Sequence, residues 1–238
     1  MERIPVYCLY STQMDTLFSK HFYPSFMQFN REDFELTVFK TNVDGNGDFD
    51  SKGYMSCMHH KTTMMLETIK ENIGRPIVWA DIDIRFLSKI DLSAYNGNFT
   101  VLKEHQDPNN PYINPAFCRI DCNDTMVNFF EKLLESCKHY NIHDMDVINY
   151  YKENIPKLDI DVFDFRYLQY TSLPHRTTTF ECDICKNNTT CYNCLHQLVD
   201  IDYIDRNNTI LYHANCTVAN KRQTSIGLKL EQLEYLIK

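Results

Sequence analysis

The chain has 238 residues with a net charge of −8 and a pI near 5.6, and 43% of it is hydrophobic and 13% aromatic. That length and composition argue against disorder and fit one large α/β domain, or one domain with an insertion. The acidic balance argues against a nucleic-acid partner, which needs a basic face, and no stretch reaches the ~18 apolar residues of a membrane span.

The N-terminus, MERIPVYCLYSTQ, carries no long apolar segment of a signal peptide, so a cytoplasmic chain is expected. Its ten cysteines then read as free thiols or metal ligands rather than disulfides. Val6 to Tyr10 reads as a first buried strand. A helix to about Tyr23 follows, apolar at Met14, Leu17 and Phe18, with Ser11 or Thr12 able to cap it. Phe34 to Phe39 is a second strand. The loop behind it, Asp44-Gly45-Asn46-Gly47-Asp48, has the look of a calcium loop, but Phe49 and Met55 stand where an EF-hand needs Gly and Glu. A helix from about Gly53 to Ile73 presents Met55, Met58, Thr62, Met65, Leu66, Ile69 and Ile73 along one stripe, with Lys61 on its flank.

Residues 77–87, IVWADIDIRFL, are the centre of the chain. Ile77 to Ala80 suit a strand buried on both faces. Beyond it Ile82, Ile84 and Phe86 alternate with Asp81, Asp83 and Arg85, so a continuing strand would put the two carboxylates on one face. Asp is among the residues least suited to a strand, and two on one face suggest a divalent cation, Mn²⁺ or Mg²⁺. A solvated acidic turn is the plain alternative.

Phe99 to Leu102 is a strand, followed by a loop bearing Glu104, His105 and Asp107. Ala116 to Ile120 is another, entered through Asn114-Pro115-Ala116-Phe117. Asp121 to Lys138 is an amphipathic helix with Met126, Phe130, Leu133, Leu134 and Cys137 inward. His143-Asp144-Met145-Asp146 opens a further helix, where acids answer the helix dipole if they do nothing else. Asp159 to Phe165 and Thr209 to Tyr212 are the last strands, and Ile226, Leu230, Leu233 and Ile237 mark a closing helix. Between them, in a Cys-rich loop spanning 180–196, Cys182, Cys185, Cys191 and Cys194 form two CxxC pairs. Four such thiols can hold one structural Zn²⁺, with redox disulfides or free thiols as alternatives. Four thiolates leave no open position for catalysis.

The Asp81-Ile82-Asp83 stretch and the elements ordered around it resemble the Asp-x-Asp glycosyltransferases of the nucleotide-diphospho-sugar transferase (GT-A) fold. The resemblance implies an α/β fold over 1–238, with a mostly parallel central sheet flanked by helices and the Cys-rich loop as an insertion. It also implies a sugar moved from a nucleoside diphosphate donor, UDP- or GDP-linked, to a glycan, protein or small-molecule acceptor. On that pattern Tyr10, Ser11 and Thr12 meet the base and ribose, Lys61 approaches the nucleotide-sugar, and Asn114 and Phe117 lie by the donor sugar. Pro115 and Ala116 depart from the family's small hydroxyl residue and Gly. Asp144, with Asp146 second to it, faces the sugar, although Met145 replaces the family's Gln. His213 joins Asp81 and Asp83 on the metal, and Asn215 and Lys221 lie near the diphosphate. Two other classes stay open from the residues themselves: another metal-dependent phosphate enzyme, such as a phosphohydrolase or nucleotidyltransferase, and an inactive binding protein with a zinc loop.

Overall fold

The computed structural model describes residues 2–43, 53–104, 111–152, 154–155, 158–169, 205–215 and 224–236. The 44–48 loop, His105, Lys221 and the four cysteines of the 180–196 loop lie outside the described residues.

Six strands form the large sheet, in the order β2-β1-β3-β6-β5-β7. They are β1 (Ile4–Ser11), β2 (Phe34–Thr41), β3 (Pro76–Ala80), β5 (Phe99–Lys103), β6 (Ile113–Asp121) and β7 (Ile160–Val162). Only β6 runs against its neighbours; every other pairing is parallel. The central strands are buried on both faces, and period-two alternation divides them between two cores. Val6, Cys8, Val78 and Ala80 face one core, while Tyr7, Ile77 and Trp79 face the other.

Helices α3 (Tyr54–Glu71), α4 (Asp124–Tyr140) and α5 (Asp144–Tyr151) cover the second face. The side chain of Asn123 caps α4 by accepting from the Met126 amide, and Asn141 ends it in the left-handed region at φ 52°. On the first face, the chain leaving β1 makes a tight turn at Thr12–Met14, an α turn, α1 (Asp15–Leu17), and a wide-turned stretch at Phe18–Phe22. It ends as α2 (Tyr23–Phe29). The helical segment is therefore longer than the one expected to close near Tyr23. In the wide turn Ser25 Oγ donates to the carbonyl of His21 at 2.7 Å, a route that compensates a distorted helical ladder.

A second sheet lies on this face, in the order β4-β9-β8, made of β4 (Ile84–Phe86), β9 (Leu211–His213) and β8 (Tyr167–Gln169). Helix α6 (Ser225–Tyr235) closes the chain against it. Residues 77–87 are thus not one strand. The chain leaves the large sheet after Ala80 and enters the small one at Ile84, so Asp81 and Asp83 stand at the crossing. Burial still alternates as the sequence suggested, with Ile82, Ile84 and Phe86 at 2% exposure or less.

Two features shape the space beyond the strand ends. The pairing of β5 with β6 jumps from Val101↔Cys118 to Leu102↔Asn114, so Pro115 to Phe117 bulge out of register. The Asp81 amide donates to the Ala116 carbonyl in that bulge at 2.7 Å. The Ala214 amide donates to the Asp83 carbonyl at 2.9 Å, tying the end of β9 to the crossing. No helix among the described residues is long and apolar enough to cross a membrane.

Candidate functional site

A cavity opens at the carboxyl ends of β1 and β3, the edge at which α/β sheets gather ligands. Leu9, Tyr10, Met14, Cys57 and Met58 make its apolar end. The charged end carries Asp81, Asp83, Glu104 and Asp144, together with Lys61, Lys229 and His213.

Lys61 comes from α3, on the same face as Met65 and Ile69, and is buried. Its ammonium donates to Asp81 Oδ2 at 2.9 Å and lies 3.4 Å from Asp144 Oδ2. Burial alone would push the lysine pKa down, but Asp144 and Asp81 outweigh it and hold the pKa above its ordinary value. Asp144 opens α5, and its Oδ1 accepts from the Met145 amide at 2.9 Å. Its Oδ2 is buried, faces the Lys61 ammonium and makes no hydrogen bond, which leaves it able to accept one.

Asp83 is engaged on both oxygens. Lys229 of α6 donates to Oδ2 at 2.5 Å, and His213 Nε2 lies 3.3 Å from Oδ1. Burial would raise the Asp83 pKa, yet Lys229 and His213 hold it well below the carboxylate range. Asp81 goes the other way, raised by burial, with Lys61 opposing and Asp83 adding to the rise.

Asp81, Asp83 and His213 each offer a ligand atom within 4.8 Å of the others, a group able to hold a divalent cation. Two observations test that fit. His213 Nδ1 is buried with no hydrogen-bond partner. Among the described lining residues, four carboxylates also face only two ammonium groups. A divalent cation would balance that excess, and without one the lining would repel a diphosphate.

The other expected residues fall as follows. Asn114 donates to Glu104 Oε2 at 2.8 Å, and Asn215 reaches Glu104 Oε1 at 3.5 Å, so both line the cavity around a buried carboxylate. Tyr10 also lines it, but its ring is stacked on Phe18 with centroids 4.7 Å apart, and Lys40 stands over it at 5.5 Å. Ser11 is buried and Thr12 exposed, and neither lines the cavity. Asp146 does not line it either; its half-exposed carboxylate pairs with His143 at 3.1 Å.

Glu104 and Lys229 carry charge in the cavity without having been assigned a role from the sequence. Of the expected α6 stripe, Leu233 is fully buried and Ile226 and Leu230 pack partly buried against the core, Ile237 lies outside the described residues, and the buried face also takes in Ser225, Leu228, Lys229, Gln232 and Leu236. The signal was a lysine four and seven residues before leucines of one helical face.

No protein-family model matches the chain, and no curated protein matches it. Solved structures do. A glycosyltransferase involved in the glycosylation of the major capsid of PBCV-1 superposes with a TM-score of 0.59 at 10% identity, over 99% of each chain. The glycosyltransferase GlyE of Streptococcus pneumoniae TIGR4 gives a TM-score of 0.50 at 9% identity, over 70% of this chain and 46% of its own. At such identities the likeness is one of architecture, and the chain has the fold of these glycosyltransferases, the GT-A arrangement of a mostly parallel sheet flanked by helices.

Proposed function

We propose that 1–238 form a single domain that transfers a sugar from a nucleoside diphosphate sugar to a glycan, protein or small-molecule acceptor, with a divalent cation in the site. One observation carries the reading: His213, far along the chain from Asp81 and Asp83, offers a ligand atom within 4.8 Å of theirs in the lining of the cavity. The histidine favours Mn²⁺ over Mg²⁺, because an imidazole suits the softer ion better. When bound, the cation supplies positive charge to the departing diphosphate.

The chain's own groups do the rest. Lys61, fixed between Asp81 and Asp144, holds both carboxylates in place and neutralises part of their charge. Asp144 Oδ2 faces Lys61 without a hydrogen bond, and a hydroxyl of the donor sugar would donate to it. Asn114 and Asn215 orient Glu104, which offers a second carboxylate to sugar hydroxyls. The apolar lining, with Met14, Met58 and Tyr10, shelters the base. Free thiols at Cys8, Cys57, Cys118, Cys122 and Cys137 suit a cytoplasmic enzyme.

A thermal-shift screen of UDP- and GDP-sugars, with and without Mn²⁺, tests the proposal. At least one donor should raise the melting temperature only when Mn²⁺ is present, and Asp83→Asn should abolish that shift in a folded protein. A screen in which no nucleotide-sugar binds with Mn²⁺ present would refute the function.

A further inference from the structure

The charge at Asp83 is already satisfied before any cation is added. Lys229 sits at 4% exposure, its ammonium 2.5 Å from Asp83 Oδ2, while His213 takes Oδ1. Lys61, by contrast, bonds only one oxygen of Asp81, at 2.9 Å. A divalent cation approaching Asp81, Asp83 and His213 therefore meets an open oxygen on Asp81, whereas on Asp83 one oxygen faces its co-ligand His213 and the other is held by Lys229.

We propose that Lys229 holds the metal's position on Asp83 in the ligand-free protein, and that the arriving cation displaces its ammonium into the donor cavity. The inference rests on the reading of Asp81, Asp83 and His213 as a metal centre. A cation on Asp83 would repel the Lys229 ammonium at close range inside a buried site, where Coulomb repulsion is poorly screened. The ammonium has somewhere to go, because Lys229 itself lines the cavity. In the resting state it cancels a buried charge that would otherwise be costly. Once displaced, it becomes a charged donor facing the space where a diphosphate enters, an interaction stronger than an uncharged hydrogen bond. The exchange makes binding ordered. The cation alone binds weakly because it must break an ion pair, and the diphosphate binds well only after that pair is broken.

Calorimetric titration of Mn²⁺ alone into the full chain tests the exchange, using wild type, Lys229→Met, Lys229→Arg and Asp83→Asn. Lys229→Met should bind Mn²⁺ about tenfold to a hundredfold more tightly than wild type, the range set by losing one charge-assisted hydrogen bond. Lys229→Arg, which keeps the competing charge, should bind it no more tightly than wild type. With Mn²⁺ saturating, Lys229→Met should bind UDP or GDP roughly tenfold more weakly than wild type, for want of the freed ammonium. Should Lys229→Met be poorly folded in EDTA, its melting temperature must rise more on adding Mn²⁺ than that of wild type. Mn²⁺ binding by Lys229→Met that equals or falls below wild type overturns the exchange, as does an unchanged affinity for the nucleoside diphosphate. The metal centre itself is tested separately: Mn²⁺ binding that survives in Asp83→Asn removes that reading whatever Lys229 does.

Discussion

Asp81 shares its lysine, whereas Asp83 has a lysine and a histidine beside it. Lys61 is divided between Asp81 and Asp144, and Asp81 keeps a pKa raised by burial. Two residues on, Asp83 lies deeper, yet Lys229 and His213 drive its pKa down. The supports differ as well. The Asp81 corner is built on α3, β3 and α5, which close on one core through Met65, Ile69, Trp79 and Val147. The Asp83 corner rests on the small sheet and α6, packed into the other core through Ile84, Phe86, Leu211 and Leu233. Identical side chains thus acquire opposite electrostatic characters from the counter-charges that tertiary structure brings to them. On the proposed reading, a cation would meet an open oxygen at the Asp81 corner and a competing ammonium at the Asp83 corner.

The largest effect expected outside the chemistry falls on the Asp81 corner. Lys61→Met leaves Asp81 and Asp144 without their shared cation and should cost about 3–5 kcal/mol, read by urea denaturation in EDTA. Lys229→Met should cost less, since His213 stays beside Asp83. Equal losses would break the comparison.

The next effect lies behind the Asp83 corner, where β4 is anchored. Phe86 packs edge-on against Phe22 and Phe26, and its amide donates to Ser25 Oγ at 3.1 Å. Buried His21 stands beside Arg85 of β4, with Nδ1 at 3.3 Å from the guanidinium. Burial first, then Arg85, lowers its pKa from 6.5 to about 4, with Glu234 opposing and Lys20 adding to the fall. A histidine whose folded pKa is depressed contributes stability that is complete above about 6.5 and is lost as the pH falls towards 4. The loss should approach about 3 kcal/mol across that window, and His21→Gln should flatten it. Urea denaturation at pH 6.5 and 4.5, in EDTA, measures the slope. An unchanged slope in the variant would place the acid sensitivity elsewhere.

The smallest effect sharpens the assignment on α5. Asp146→Asn removes an exposed partner of His143 and should leave both transfer and stability nearly unchanged, within about 1 kcal/mol. Asp144→Asn should cut transfer sharply in the same assay. Comparable losses in both would move the role to the helix end as a whole.

Much of this was legible in residues that meet their partners through a simple period. Ile77 to Ala80 announced a buried strand, and the alternation of Ile82, Ile84 and Phe86 gave their burial correctly. The break at Asp81 was not legible, because a period of two continues unchanged when a chain passes from one sheet to another. The partner that captures β4 is β9, pairing Ile84 with His213, and nothing local to residues 84–86 specifies it. Lys61 was visible as a helix lysine, but its burial depends on Asp81 and Asp144, which only the assembled fold brings near. Lys229 escaped notice because an apolar stripe through Ile226 and Leu230 explained α6 without it. The buried face is wider than that stripe and takes in the lysine, which it sets against Asp83.

The pairing of β4 with β9 also sets an order of events during synthesis. All six strands of the large sheet lie upstream of residue 163, while the neighbour of β4 begins at Leu211. N-terminal parts of a growing chain fold first, and contacts between distant residues come late. A nascent chain that has delivered Val162 therefore owns its main scaffold yet lacks His213 and the amide of Ala214 that holds the Asp83 carbonyl. Release within that interval would yield a molecule that has the large sheet and lacks His213, so the Asp81, Asp83 and His213 group assembles only after residue 213 has emerged.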